Sequence, residues 1–505
     1  MCSCVTRLMA GLLARESVLC VPSRFPSGIQ VARLIAYSCG DSRGSDRFLP
    51  RSQLIPFREP SNPSCSQRAP IVNQLLSFDI HVPSSTEESQ PARQFAALRH
   101  PGFSEFLAAR FMGTVAIQMQ TVAVGWQVYA LRHNPLDLGL VGLSQFLPFV
   151  PLVLVAGHVA DYFNRRRILA VCYAIQVLCA LLLLAFTLSG QHEVWPVFAV
   201  MVLFGIARAF ALPASQAVVP TLVPIESFGN AVALSSSSFQ IATIAGPTLG
   251  GLIYLAGPQS VYATVAVLLS VAAILMGFVK VQPKVAAVRA PGSELAAAPP
   301  SRSWHALLEG IRFVRSRPVV LGAISLDLFA VLLGGATALL PAYARDVLHV
   351  GPTGLGILRT APGVGAALAG GLLTFTPISR HVGRWMYGGV FLFGAATIVF
   401  GLSHLFIVSG CALLLLGMGD MVSVYIRHML VQLATPDGIR GRVSAVNGVF
   451  IGASNELGEF ESGITAAWFG LIPAVVLGGV ATLAVAGLWM RLFPQLRTID
   501  TFPRR

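Results

Sequence analysis

The chain has 505 residues, of which 54% are hydrophobic and only 11% charged, and its formal net charge is +13. Soluble domains carry about 25% charged residues, and with a mean hydropathy of +0.70 the composition excludes a water-soluble enzyme or scaffold and implies a membrane-embedded chain. The basic surplus forms no stripe with interleaved aromatics, so nucleic acid is not the expected partner.

Residues 1–95 stand apart. They are rich in Ser, Pro and Arg and hold five of the eight cysteines: Cys2, Cys4, Cys20, Cys39 and Cys65. They lack the apolar stretch and small-residue cleavage site of a secretory signal, and their Arg- and Ser-rich character mildly resembles an organelle transit peptide. The expectation is a disordered extension or a misassigned translation start within 70–100. The cysteine spacing fits no metal pattern, and no metal or cofactor is expected.

Twelve apolar runs of about 20 residues follow, each matching a hydrocarbon core. The first six lie at roughly 104–131, 137–160, 167–189, 195–216, 229–254 and 259–280, and the second six at roughly 318–341, 353–376, 383–403, 404–428, 442–469 and 472–491. With both termini cytoplasmic, that side holds Arg165, Arg166, Arg167, Lys280, Lys284, Arg289, Arg302, Arg312, Arg315, Arg317, Arg380, Arg384, Arg440, Arg442, Arg491 and Arg497. The other side holds Arg132 and Arg345, the asymmetry that the positive-inside rule predicts. The charge therefore reads as topology and as contact with anionic headgroups.

The predicted architecture is all-α, with twelve transmembrane helices in two six-helix bundles, 96–280 and 318–495. A cytoplasmic linker, 281–317, joins them, and 496–505 is a cytoplasmic tail. Within the linker, Trp304, Leu307, Leu308, Ile311 and Phe313 give an amphipathic pattern, read as a helix lying on the cytoplasmic surface.

Between the second and third spans runs Gly157-His158-Val159-Ala160-Asp161-Tyr162-Phe163-Asn164-Arg165-Arg166-Arg167. Gly157 is expected to let two helices approach closely, Asp161 to cap a neighbouring helix or pair with an arginine, and the arginines to anchor the face. This loop resembles the signature loop of the major facilitator superfamily, with Tyr162 where Arg is usual and Asn164 where Gly is usual. The resemblance implies the major facilitator fold and a role for Gly157, Asp161, Arg165, Arg166 and Arg167 in gating. In the fifth span, Gly246-Pro247-Thr248-Leu249-Gly250-Gly251 resembles the antiporter motif of superfamily exporters, with Ala242 where Gly is frequent. Proline kinks the helix and the glycines permit close packing; the resemblance adds export rather than uptake. Arg208-Ala-Phe-Ala-Leu-Pro213, "VVPTLVPIESFGNAVAL" and "GRVSAVNGVFIGASNELGEFESG" narrow the likeness to the enterobactin-exporter-like branch of bacterial efflux proteins, over roughly 96–495. That implies a bacterial plasma (inner) membrane location and a monomeric protein.

Ionisable groups inside the spans are costly and usually functional. Asp327 lies about 13 Å into the seventh span at 1.5 Å per residue. Glu456 and Glu459 in the eleventh are i,i+3 neighbours on one face, and Glu461 lies about 140° away. Close carboxylates in low dielectric do not all ionise, so this face can take up and release a proton; a structural hydrogen-bond network, with Asn455 bonding Glu459, is the other reading. Arg208 resembles the buried arginine that superfamily antiporters place near the proton route. The proton-coupling candidates are thus Glu456, Glu459, Asp327 and Arg208. Arg110 and Arg427 are expected to snorkel to a surface, Asp420 to cap or to pair with Arg427, and Arg359 either to reach the outer surface or to pair across a cavity.

No phosphate-cradling loop and no nucleophile–base pair is present, so neither direct ATP use nor an enzyme is expected. The expected function is a proton-coupled exporter of a small organic molecule, such as a siderophore or hydrophobic drug, working by alternating access. A proton-coupled uptake symporter and a non-transporting membrane receptor or scaffold remain as alternatives.

Overall fold

The structure, a computed structural model, describes residues 96–279, 303–436 and 438–502. The expectations for 1–95 and for 281–302 lie outside the described residues. Helices dominate the rest: α1 (Pro101–Arg132), α2 (Pro135–Tyr162), α3 (Arg165–Leu188), α4 (Trp195–Val218), α5 (Ile225–Ile253) and α6 (Pro258–Phe278) come first. After them run α7 (Ser303–Ser316), α8 (Pro318–Leu333), the short α9 (Leu340–Asp346), α10 (Pro352–Phe375), α11 (Val382–Leu402), α12 (Phe406–Ala434), α13 (Arg440–Phe469), α14 (Leu471–Leu492) and the single-turn α15 (Pro494–Arg497).

Local chemistry sets these boundaries. Proline stands in the first two positions of α1, α2, α4, α6, α8 and α10, where its missing N–H costs nothing. The Asn134 side chain caps α2 through the Leu136 N–H at 3.0 Å, and Asn164 caps α3 through Arg166 N–H at 3.1 Å. Nine segments among the described residues are long and apolar enough to cross a membrane: α3, α4, α5, α6, α8 with α9, α10, α11, α12 and α14. The other three long helices are α1, α2 and α13, and in α13 three glutamates and two arginines lower the hydropathy.

The pairing of helices repeats. In the first six, α1 packs on α5 and α6, α2 on α4, and α3 on α4 and α6. In the second, α8 packs on α13 and α14, α10 on α12, and α11 on α12 and α14. The same pattern therefore occurs twice in chain order. Backbone specials repeat with it. His133, before α2, and His349, before α10, both have φ 52°. Gly257, before α6, has φ 97° and Gly470, before α14, has φ 89°, values at which a side chain is strained.

Among the contacts that join the halves, two are glycine on glycine. A Cβ added to Gly139 of α2 would lie 3.1 Å from Gly463 Cα of α13, and one added to Gly251 of α5 would lie 3.2 Å from Gly356 Cα of α10. Under the internal repeat these two contacts are images of each other. Both lie at the end of the bundle that carries the α1–α2 turn. At that same end the Tyr129 hydroxyl of α1 donates to Asp346 of α9, and Arg345 stands 6.0 Å from the centroid of the Trp126 ring.

The linker helix is α7. Val314 is buried and Leu308 exposed. Glu309 pairs with Arg442 at the start of α13, and a Cβ on Gly310 would come 3.0 Å from the Arg442 carbonyl. The helix thus packs on α13; the side chains of Trp304 and Leu307 lie outside those described.

Candidate functional site

One stripe of α4 changes character along its length. Val197, Met201 and Phe204 are buried, whereas Arg208 and Leu212, next on the same face, are exposed. On α13, Ala466 and Ser462 are buried, Glu459 is half-buried, and Asn455 and Gly448 are exposed. Both stripes run from the buried, closed end at the α1–α2 turn to exposed positions at the other, open end. The site lies where they cross from one to the other.

There Arg208 Nη1 of α4 donates to Glu456 Oε1 of α13, an ion pair between the two halves. Local packing brings it about. Gly205, one turn before Arg208, rests on α2 so closely that a Cβ would come 2.3 Å from the Gln145 carbonyl. Gly142, also on α2, leaves room for Glu459, whose Oε2 would be 2.6 Å from a Cβ there. Gly205 of α4 and Gly142 of α2 therefore let α2 carry a cation on one side and the acidic face of α13 on the other. Arg359 of α10, half-buried, is near enough to Glu459 and Glu456 for their charges to interact, so it joins this group rather than the surface. Glu461 lies on another face and accepts the Thr465 hydroxyl at 2.8 Å. Asn455 does not bond Glu459; its Nδ2 donates to the Ile451 carbonyl at 3.0 Å.

Asp327 belongs to a second group, inside the second half. Its Oδ1 is 2.6 Å from Arg427 Nη2, which is also 3.8 Å from Asp420 Oδ1. The expectation that Arg427 snorkels is overturned: the residue is 5% exposed, because Asp327 of α8 and Asp420, two turns earlier on α12, hold it in the core. Asp420 pairs with Arg427, as expected, at the looser distance. The four proton-coupling candidates therefore divide, with Glu456, Glu459 and Arg208 together and Asp327 apart. Arg110 is half-buried, 5.7 Å from the centroid of the Phe239 ring.

The signature loop lies at the open end. Arg165 donates to the Ala217 carbonyl at 2.8 Å, and Arg166 to the Val279 carbonyl at 2.7 Å. Each guanidinium thus caps the C-terminal end of a helix, α4 or α6, and meets the negative end of its dipole. Arg167 is exposed. Gly157 makes no close approach here: among the described residues nothing lies within 4 Å of a Cβ built on it. The side chain of Asp161 lies outside those described.

The glycines of the α5 motif pack on two partners. Cβ atoms on Gly246 and Gly250 would meet Gln118 Cβ at 2.5 Å and Met119 Cα at 2.9 Å, both on α1. Gly251 instead faces Pro352 and Gly356 of α10. Pro247 lies inside α5, and its carbonyl would be 2.5 Å from a Cβ on Gly356. The motif is thus part of the contact between halves as well as a site for a kink. Sequence reasoning missed Gly139, Gly142, Gly356 and Gly463, although Gly139 and Gly142 stand i,i+3 at the start of a span. It also missed the Tyr129–Asp346 bond, whose partners are 217 residues apart.

Residues 92–504 match the transmembrane secretion effector family. A similar relative is the enterobactin exporter EntS of Citrobacter koseri, 25% identical over 79% of this chain and 93% of that protein. Another is the multidrug efflux pump Tap of Mycolicibacterium fortuitum, 28% identical over 75% of this chain and 92% of its own length. Among solved structures, a bacterial homologue of the human lysosomal transporter Spinster, inward-facing and unoccupied, superposes with a TM-score of 0.61 at 14% identity, over 81% of this chain and 96% of that one. A D-xylose–proton symporter superposes with a TM-score of 0.56 at 14% identity, over 80% and 98%.

Proposed function

Since the chain belongs to the transmembrane secretion effector family of the major facilitator superfamily, we propose that this integral membrane transporter is a proton-coupled exporter of a small organic molecule. The observation that carries the reading is the Arg208–Glu456 pair, with Glu459 beside it, at the seam between two repeated halves and at the boundary between a closed and an open end.

Alternating access needs two halves that separate at one end while closing at the other. The repeated pairing and the paired glycine contacts support twelve spans in two six-helix bundles, 96–280 and 318–495. With both termini cytoplasmic in a bacterial inner membrane, the closed end is the outer one, and the signature loop faces the open, cytoplasmic end. Gly157 and Asp161 then close the inner gate in the opposite state, while Arg165 and Arg166 keep the ends of α4 and α6 in register. Outward opening separates α4 from α13 and so breaks the Arg208–Glu456 pair. A carboxylate that loses its cation beside a second carboxylate is stabilised by a proton. Proton binding thus goes with one state and the ion pair with the other, which is the coupling an antiporter needs.

Direction rests on the α5 motif and on relatives named as an exporter and an efflux pump. A siderophore or a hydrophobic drug is the substrate class those names suggest. The test is deletion of the gene followed by comparison of secreted metabolites and drug tolerance with the parent. A compound retained inside the deletion strain, or a drug newly toxic to it, supports export; loss of uptake of an external nutrient instead contradicts it.

A further inference from the structure

The Arg208–Glu456 pair is lopsided. The carboxylate side chain is 10% exposed and the guanidinium side chain 47%. The cation, not the acid, therefore faces the space at the open end. Glu456 engages one guanidinium nitrogen, Nη1, and among the described residues Arg208 has no other hydrogen-bond partner. A guanidinium carries five N–H donors in a planar fork that suits a two-oxygen anion. Arg208 is thus held by a single contact, and its side chain stays about half exposed, as does Leu212 one turn further on.

Resting on the exporter reading above, we propose that Arg208 is the docking point for an anionic group of the exported molecule, a carboxylate, sulfonate or phenolate, and that this group and Glu456 occupy the guanidinium in turn. Substrate entering from the open end pairs with the exposed donors and displaces Glu456. Among the described residues, the charged neighbours of the released Glu456 are Arg208 on α4, Arg359 on α10 and Glu459 on its own helix. Gly139 and Gly142, which α2 presents to α13, bring no charge, and Asp327 of α8 is held by Arg427. Glu456 is then neutralised by Arg359.

The test measures binding on the purified full chain in detergent, so it does not depend on turnover. Three aromatic probes of similar size are compared by thermal shift: naphthalene-2-sulfonate, 2-naphthylmethylammonium and 2-naphthol. The sulfonate alone is expected to raise the melting temperature. Arg208→Gln should abolish that shift, and Arg208→Lys should retain part of it. Glu456→Gln, which removes the competing carboxylate, should tighten the apparent affinity about tenfold, the size of one charge-assisted contact. The Glu456→Gln arm keeps the proposal testable even where Arg208→Gln unfolds. The proposal is overturned by no sulfonate shift, by an equal shift from the ammonium or neutral probe, by a sulfonate shift surviving Arg208→Gln, or by weaker binding in Glu456→Gln. Any of these with export intact in the deletion assay removes the anion site and leaves the exporter reading standing.

Discussion

At the scale of single residues, the buried charges do two different jobs. Arg427 sits between Asp327 and Asp420 with almost no exposure. Breaking a buried pair leaves an uncompensated charge and costs about 3–5 kcal/mol. Arg427→Gln should therefore lower expression and melting temperature sharply, and Asp327→Asn added to it should restore part of the loss; a single variant that melts like the parent would show that the pair is not structural. Arg208 is the contrasting case, half-exposed and holding its partner by one nitrogen. The sequence located every one of these charges and the Asp420–Arg427 pair, but not the Asp327–Arg427 and Arg208–Glu456 partnerships. Asp327 and Arg427 are 100 positions apart in the chain, and no helical periodicity links α8 to α12. The place of Arg427 near the end of a span suits snorkelling; the acid that draws it inward is on another helix.

Helices and their contacts come next. The apolar runs predict the helices to within a few residues, except in the tenth span, where α12 continues to Ala434 past the predicted end at 428. The break between α8 and α9, at Gly334 and Gly335, was also not foreseen; it turns the chain so that Tyr343 packs against Phe400, with ring centroids 4.5 Å apart. The glycine contacts at Gly139/Gly463 and Gly251/Gly356 hold one end closed because no Cβ intervenes. Leucine at Gly251 or Gly463 should force α5 from α10, or α2 from α13. Cysteines placed at that end should then react with an impermeant thiol reagent severalfold faster than in the parent, and an unchanged rate would remove these glycines from the closure. Asp161→Asn addresses the opposite end. Insertion should be normal and transport strongly reduced, because the inner gate no longer closes; near-normal flux at equal expression would leave Asp161 with positioning alone.

For the whole molecule, topology and coupling are the claims at stake. The sequence shows two sets of six apolar runs, whereas the matching left-handed residues, His133 with His349 and Gly257 with Gly470, show only in the backbone. Basic residues set the orientation, so Val350→Cys in a cysteine-free background should be labelled by an impermeant reagent in intact cells; no labelling would invert the topology. The most direct test of the account is flux against an imposed pH gradient in proteoliposomes, using the compound identified by gene deletion. The parent should show gradient-driven flux. Glu456→Gln and Glu459→Gln, permanently neutral, should still bind the compound while their flux no longer follows the gradient. Flux that keeps its full pH dependence in both variants would contradict the account and move the coupling proton to Asp327.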